Sequence, residues 1–171
     1  MARRLMPLAL LAVLLAPAVA LPGQLPSQAT TRPEASDHIR QGVAHFERAF
    51  YELIPQKRQH DADIEFDLAV AAFQRELALR PSSVAAHRHL ARLHAVRGRS
   101  ALAALAYDEV ARLDPLDLDA YVLASLNYIE LGQFETARER LQEARARAVD
   151  PLAQATLDDY LSKLAAGTRR Q

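Results

Sequence analysis

The sequence predicts an all-α protein, a right-handed solenoid of about three helical hairpins followed by a C-terminal capping helix. One reason is composition. Half of the 171 residues are hydrophobic and only 6% are aromatic, and the abundant Ala, Leu, Arg and Glu are strong helix formers. The second reason is an internal repeat of 34 residues, a length typical of two-helix units that bury their apolar faces by stacking.

The repeat shows in pairs of equivalent residues. FQRELALRP ends at Pro81, and YDEVARLDP ends 34 residues later at Pro115. The same shift relates four further pairs: Gly98 to Gly132, Ala103 to Ala137, His94 to Tyr128, and His87 to Tyr121. We therefore predict a repeat domain over residues 36–166, with units at about 36–83, 84–117 and 118–151 and a capping helix at 151–166.

This pattern resembles the tetratricopeptide repeat (TPR) family, whose first helix carries a large aromatic, Leu-Gly and Tyr, and whose second carries Ala, an aromatic and Pro. In unit 84–117 the matching residues are His87, Leu90, Ala91, His94, Ala103, Tyr107 and Pro115, with Gly98 in the turn. In unit 118–151 they are Tyr121, Ala124, Ser125, Tyr128, Ala137 and Leu141, with Gly132 in the turn and Val149 in place of the proline. An earlier unit matches through Ala69, Phe73 and Pro81.

The first unit departs from this pattern. Its first helix, SDHIRQGVAHFERAFYEL, is expected to end before Pro55, because a residue that precedes proline avoids the helical region. The polar stretch PQKRQHDA is then predicted to form a loop, with the second helix starting near Asp63. We favour an atypical repeat with a long loop here, and the alternative is an N-terminal capping hairpin.

Several polar residues are candidate helix N-caps. Ser82 or Ser83 would precede the first helix of unit 84–117, and Ser100 would precede its second helix. Asp117 would precede the first helix of unit 118–151. Asp150 stands before Pro151, and proline is favoured at the first helical position. This pair predicts the start of the capping helix, and residues 167–171 are expected to form a disordered tail.

The N-terminus predicts export. Residues 1–20 contain two arginines, an apolar run and a small-residue Ala18-Val19-Ala20 end, which is the layout of a cleavable signal peptide. Residues 21–35 contain three prolines and are expected to be a flexible leader. We expect a periplasmic or secreted protein that does not insert into the membrane after cleavage; an uncleaved anchor is the alternative.

Charge and cysteine content limit the function classes. The formal net charge is zero, which argues against a nucleic-acid partner. The chain has no cysteine, so stability has to come from packing rather than disulfides. No nucleophile motif, phosphate-binding loop or carboxylate pair stands out, so we predict no enzyme activity and no cofactor.

The histidines admit more than one interpretation. The stretch HRHLARLH contains His87, His89 and His94. His87 and His94 are seven residues apart, about 10.5 Å along a helix, which is far for two ligands of one zinc ion. We favour packing roles for both, with a metal site or a pH-sensitive interface as alternatives. His60, Asp61 and Asp63 form a second polar group in the predicted loop, for which a solvated loop is favoured over a metal or ligand contact.

The resemblance places partner binding on the concave face, which first-helix residues line. There Arg88 and Arg92 are expected to grip an acidic segment, beside an apolar stripe of Val122, Leu126 and Ile129. The asparagines of a carboxylate clamp are not in the matching positions. The predicted function is a protein-interaction scaffold, with intramolecular cover or self-association of the stripe as alternatives. The other function considered is a metal- or ligand-responsive periplasmic binding protein that uses its histidines.

Overall fold

The computed structural model describes residues 36–168, and within these residues it contains seven α-helices and no strand. The helices are α1 (Asp37–Glu47, continued by a π-helical segment, Arg48–Leu53), α2 (Gln59–Leu79), α3 (Val84–Val96), α4 (Ser100–Leu113), α5 (Leu118–Glu130), α6 (Phe134–Arg147) and α7 (Pro151–Thr168). The all-α fold class is confirmed. The predicted signal peptide and leader, and residues 169–171 of the predicted tail, lie outside the described residues. No helix in the described part is long and apolar enough to cross a membrane.

The helices pack as a stack of hairpins. The hairpins are α1–α2, α3–α4 and α5–α6, and the second helix of each one also packs on the helix that follows it. The last of these contacts is made by α7, whose Leu157 is buried with Leu141 and Ala144 of α6. Neighbouring hairpins thus bury the apolar faces that a single hairpin would leave exposed.

Glycine closes two of the hairpin turns. Gly98 and Gly132 have φ angles of 66° and 73°, in the left-handed region that favours glycine. The next amide donates a hydrogen bond five residues back, from Arg99 to the His94 carbonyl and from Gln133 to the Tyr128 carbonyl, at 2.8 Å in both cases. The first hairpin has Lys57 at the equivalent place, with φ of 58°, followed by the Arg58 amide bonded to the Leu53 carbonyl at 3.0 Å.

The first hairpin is longer than the other two. Helix α2 has 21 residues, whereas α4 and α6 have 14 each, and the three helices end 34 residues apart. The seven additional residues therefore lie at the start of α2. The predicted long loop is wrong, because only residues 54–58 join the helices and His60, Asp61 and Asp63 belong to α2. The end of the first helix before Pro55 is confirmed.

Three of the predicted N-caps are confirmed. Oxygen atoms of Ser83, Asp117 and Asp150 accept backbone hydrogen bonds from the third residue after each, at 3.4, 3.3 and 2.9 Å. Ser100 is not a cap, because it is the first residue of α4 and its hydroxyl donates to Glu130 instead. Helix α7 continues through Gly167 to Thr168, so the predicted disordered tail does not begin at residue 167.

The buried carboxylate of Glu76 connects the start of the first hairpin to its end through hydrogen bonds. Arg80 donates to both carboxylate oxygens of Glu76, at 2.6 and 2.9 Å, and the Ser36 hydroxyl donates to it at 2.5 Å. Ser36 is also the N-cap of α1 and accepts from the Ile39 amide at 3.2 Å. Hydrogen bonds from Arg80, opposed by burial, and from Ser36 lower the pKa of Glu76 to about 2. The carboxylate is therefore ionised at neutral pH.

Candidate partner-binding face

An apolar groove runs between the first helix of the third hairpin and the capping helix. We call it the α5/α7 furrow. Its cavity volume is about 420 Å³. The three apolar residues predicted to bind a partner all line it, namely Val122, Leu126 and Ile129. They are spaced four and three residues apart on α5, which places their side chains on one helix face.

The other sides of the furrow come from α6 and α7. Phe134 and Leu141 of α6 line it, as do Tyr160 and Leu164 of α7. Leu164 also packs against the buried clusters of the second and third hairpins. Leu126 is 50% exposed. The furrow is consequently an apolar surface that is held in place by packing against α6 and α7 and remains open to solvent along α5.

The furrow extends toward the N-terminal ends of α5 and α7. A second groove of about 360 Å³ shares Val122 and Tyr160 with the first. Asp119 and Asp150 line this extension, and Lys163 lies along the first groove. The continuous surface thus has acidic residues at one end and a lysine toward the other.

The two predicted arginines contact different parts of the molecule. The Arg88 guanidinium forms an ion pair with the Oδ2 atom of Asp117 at 2.5 Å. Asp117 caps α5, so Arg88 links the second hairpin to the start of the third. Arg92 instead lines a groove between α1 and α3. The structure thus gives the two arginines separate surroundings: Arg88 pairs with the residue that caps α5, and Arg92 lines an open groove.

The α1/α3 groove has a volume of about 170 Å³ and was not foreseen from the sequence. Aromatic rings dominate it, because Phe46, Tyr51 and Phe73 line it together with His89 and Arg92. The His89 ring stacks on Phe73 with centroids 5.0 Å apart and planes 5° from parallel. Burial, and then the charges of Arg92 and Arg88, lower the pKa of His89, so this ring is mainly neutral at pH 7.

The other two histidines of HRHLARLH have separate surroundings. His87 has its Nε2 atom 3.0 Å from the Pro81 carbonyl oxygen. His94 is half-buried, and burial lowers its pKa, followed by the charges of Arg99 and Arg97. One unit later the equivalent residues, Tyr121 and Tyr128, are buried. Among residues 36–168, no three His, Cys, Asp or Glu side chains are grouped so that they could hold a metal ion.

The other residues that match the repeat pattern include both buried and exposed positions. Leu90, Ala103, Tyr107 and Ala137 are buried, whereas Pro115 is exposed in the turn after α4. These residues contribute to the framework that holds α3 and α5, the two helices on which the predicted binding residues lie.

A charged hydrogen-bond network that joins α4, α5 and α6 was also not predicted from the sequence. Arg140 of α6 donates to Asp108 of α4 at 2.7 Å, and the Tyr128 hydroxyl donates to the same carboxylate at 2.7 Å. Burial and the hydrogen bond to Asp108 raise the pKa of Tyr128 to about 12. The hydrogen bond to Asp108 also raises the pKa of Arg140. The network joins the second hairpin to the third through residues that are 32 positions apart.

The stacked hairpins with their common 34-residue spacing define an α-helical repeat protein, and this fold class serves as a scaffold for protein–protein interactions. Residues 65–117 match the sequence model of the tetratricopeptide repeat family. This match covers 53 of the 171 residues of the chain. A comparison with curated protein sequences finds no match.

Solved structures share the fold at low sequence identity. The type III secretion translocator chaperone SycD of Yersinia enterocolitica is 17% identical, with a TM-score of 0.55, over 74% of this chain and 85% of that one. The first TPR domain of Spaghetti (RPAP3), bound to the HSP90 peptide SRMEEVD, is 12% identical, with a TM-score of 0.53, over 78% and 99%. A chain of the CopN–Scc3 complex is 15% identical, with a TM-score of 0.52, over 84% and 81%.

Proposed function

We propose that this protein is an exported, non-catalytic scaffold that binds a peptide or a helix of a partner protein on the face containing the α5/α7 furrow. The observation that carries the proposal is the furrow itself. It is an open apolar groove of about 420 Å³ that Val122, Leu126 and Ile129 line. Apolar grooves of this kind, bordered by polar residues, are typical of peptide- and helix-binding surfaces.

The neighbouring structures support a protein partner. One similar TPR domain holds a bound peptide, and another similar chain belongs to a two-protein complex. In the present chain, the apolar trio of α5 would supply the contact area. Arg92 would add a positive charge in the α1/α3 groove, whereas Arg88 would act indirectly by holding Asp117 at the start of α5.

A site-specific crosslink tests the binding face. The full chain is produced in its native host with a photo-crosslinking amino acid at Leu126. On illumination, this position should crosslink to a partner protein. The matched control is the same amino acid at Leu105, an exposed leucine on α4 outside the furrow. Efficient crosslinking from Leu105 and none from Leu126 would contradict the proposal.

The proposed location has its own test. If residues 1–20 are a cleaved signal peptide, the exported protein should begin at Leu21 and should be found in the periplasm or the medium. Intact mass measurement of the recovered protein distinguishes this product from a chain that begins at Met1. Recovery of the protein only from the cytoplasm would contradict export.

A further inference from the structure

We propose that the partner segment in the α5/α7 furrow is an amphipathic helix of about three turns, with its basic end beside Asp119 and Asp150 and its acidic end beside Lys163. This inference rests on the proposed function and specifies the partner's chemistry at the same site. It is carried by the continuity of the two grooves and by the distribution of charge along them.

The length of the furrow sets the length of the helix. The furrow and the second groove that extends it share Val122 and Tyr160, so together they form one surface that follows α5 from Asp119 to Ile129. Ten helical steps correspond to about 15 Å at 1.5 Å per residue, which is nearly three turns. A partner helix of about that length would contact the furrow from end to end.

The apolar lining sets the spacing of the partner's contacts. Val122, Leu126 and Ile129 of α5 face the groove that Tyr160 and Leu164 of α7 also line. An amphipathic helix presents apolar side chains at i, i+3 or i+4, and i+7, which is the same spacing as that of the α5 trio. Helix-in-groove packing therefore fits the furrow.

The charges set the orientation. Asp119 is exposed at the first turn of α5, and no ion pair within residues 36–168 involves it. Lys163 has a side chain that is 71% exposed, and its contact with Asp159 is a surface pair within one helix. Such a pair is weak, so Lys163 can also contact a partner carboxylate. Opposite charges at the two ends fix register and direction more than they add affinity.

The chain's own leader is a poor candidate for this position. Residues 21–35, LPGQLPSQATTRPEA, contain prolines at positions 22, 26 and 33. Proline within a helix removes a hydrogen bond and clashes with the preceding turn. This proline spacing disfavours a continuous three-turn helix in the segment, so the proposal takes a separate partner as the occupant.

Three synthetic peptides test the charge order. They share one apolar helix face and differ only at their ends, which are basic and acidic, acidic at both, or basic at both. We expect the bipolar peptide to bind the full chain several-fold more tightly than the other two, as measured by fluorescence anisotropy. Lys163→Glu should shift the preference to the doubly basic peptide, and Asp119→Lys to the doubly acidic one.

The control is Glu139→Lys on α6, an exposed charge outside both grooves, which should leave the order of the three affinities unchanged. Equal affinities for all three peptides would overturn the charge order, while the Leu126 crosslink would still decide the proposed function. Crosslinking from Leu126 to residues 21–35 or to a second copy of the chain would overturn the choice of a partner helix.

Discussion

Gly42 and the ring of Phe73 pack so closely that a β-carbon at residue 42 would lie 2.4 Å from the Cε1 atom of Phe73. The His89 ring stacks on Phe73 as well, with 5.0 Å between the ring centroids. One aromatic ring of α2 therefore contacts both α1 and α3. The α1/α3 groove depends on this arrangement, because Phe73 and His89 both line it.

The first prediction concerns this contact. Gly42→Ala should destabilise the protein by about 1–3 kcal/mol, because Phe73 has to move out of a packed position. Alanine is otherwise favoured in a helix by about 1 kcal/mol. Gly167→Ala is the matched control, since nothing lies near its added β-carbon. Urea unfolding measures both, and a stable Gly42→Ala variant would contradict the packing described here.

The second prediction concerns pH and Glu76. Its pKa is lowered from 4.5 to about 2 in the folded protein, so the folded state favours the ionised form. The resulting stability is fully present above pH 4.5 and is lost as the pH falls toward 2. Glu76→Gln should reduce the free energy of unfolding at pH 7 by about 1–3 kcal/mol.

The same substitution should also flatten the stability profile between pH 4.5 and 2. Glu139→Gln, at an exposed position of α6, should leave that profile as it is in the native chain. Unfolding curves recorded at several pH values compare the three proteins. An unchanged acid slope for Glu76→Gln would show that other carboxylates govern the loss of stability.

The third prediction concerns the turn of the first hairpin. Lys57 has a φ of 58°, where the other two turns have glycine. A left-handed conformation costs a residue with a β-carbon about 1–2 kcal/mol. Lys57→Gly should therefore raise the melting temperature, whereas Lys57→Ala, which keeps the β-carbon, should change it little. Equal effects of the two substitutions would assign the change to the lost charge instead.

The fourth prediction separates the two arginines. Arg92→Glu should weaken capture of the partner that crosslinks at Leu126 while leaving the unfolding free energy nearly unchanged, because Arg92 lines an open groove. Arg88→Glu should instead lower stability by about 0.2–1 kcal/mol, because it places a like charge beside Asp117. Partner capture and urea unfolding are measured on both variants, and the reverse pattern would contradict the assignment.

The repeat register made much of the fold predictable. Once Gly98 and Gly132 are aligned, the hairpin turns and the caps at Ser83 and Asp117 follow from local sequence. The apolar stripe of α5 was also predictable, because its spacing is a helical one. These features depend on residues that are near one another in the chain.

Other features depend on how distant residues meet. Arg88 pairs with Asp117 across 29 positions and Arg140 with Asp108 across 32, and neither pair has a local pattern. The α1/α3 groove needs three helices to approach one another. The start of α2 was misread as a loop for a different reason: its first residues are polar because that end of the helix is exposed, not because it lacks helical structure.

The added length of α2 has a geometric consequence. Seven residues rotate a helix by about two full turns, short by only about 20°. The extension accordingly repeats the buried stripe of the rest of the helix, since the buried residues Ala62 and Glu65 precede the buried residues Ala69 and Ala72 by seven. An insertion of five residues would turn that stripe by about 140°, away from α1 and α3. An insertion or deletion in a helix of this protein is therefore expected to be tolerated best in steps of seven residues, because such a step keeps the buried stripe facing the same neighbouring helices.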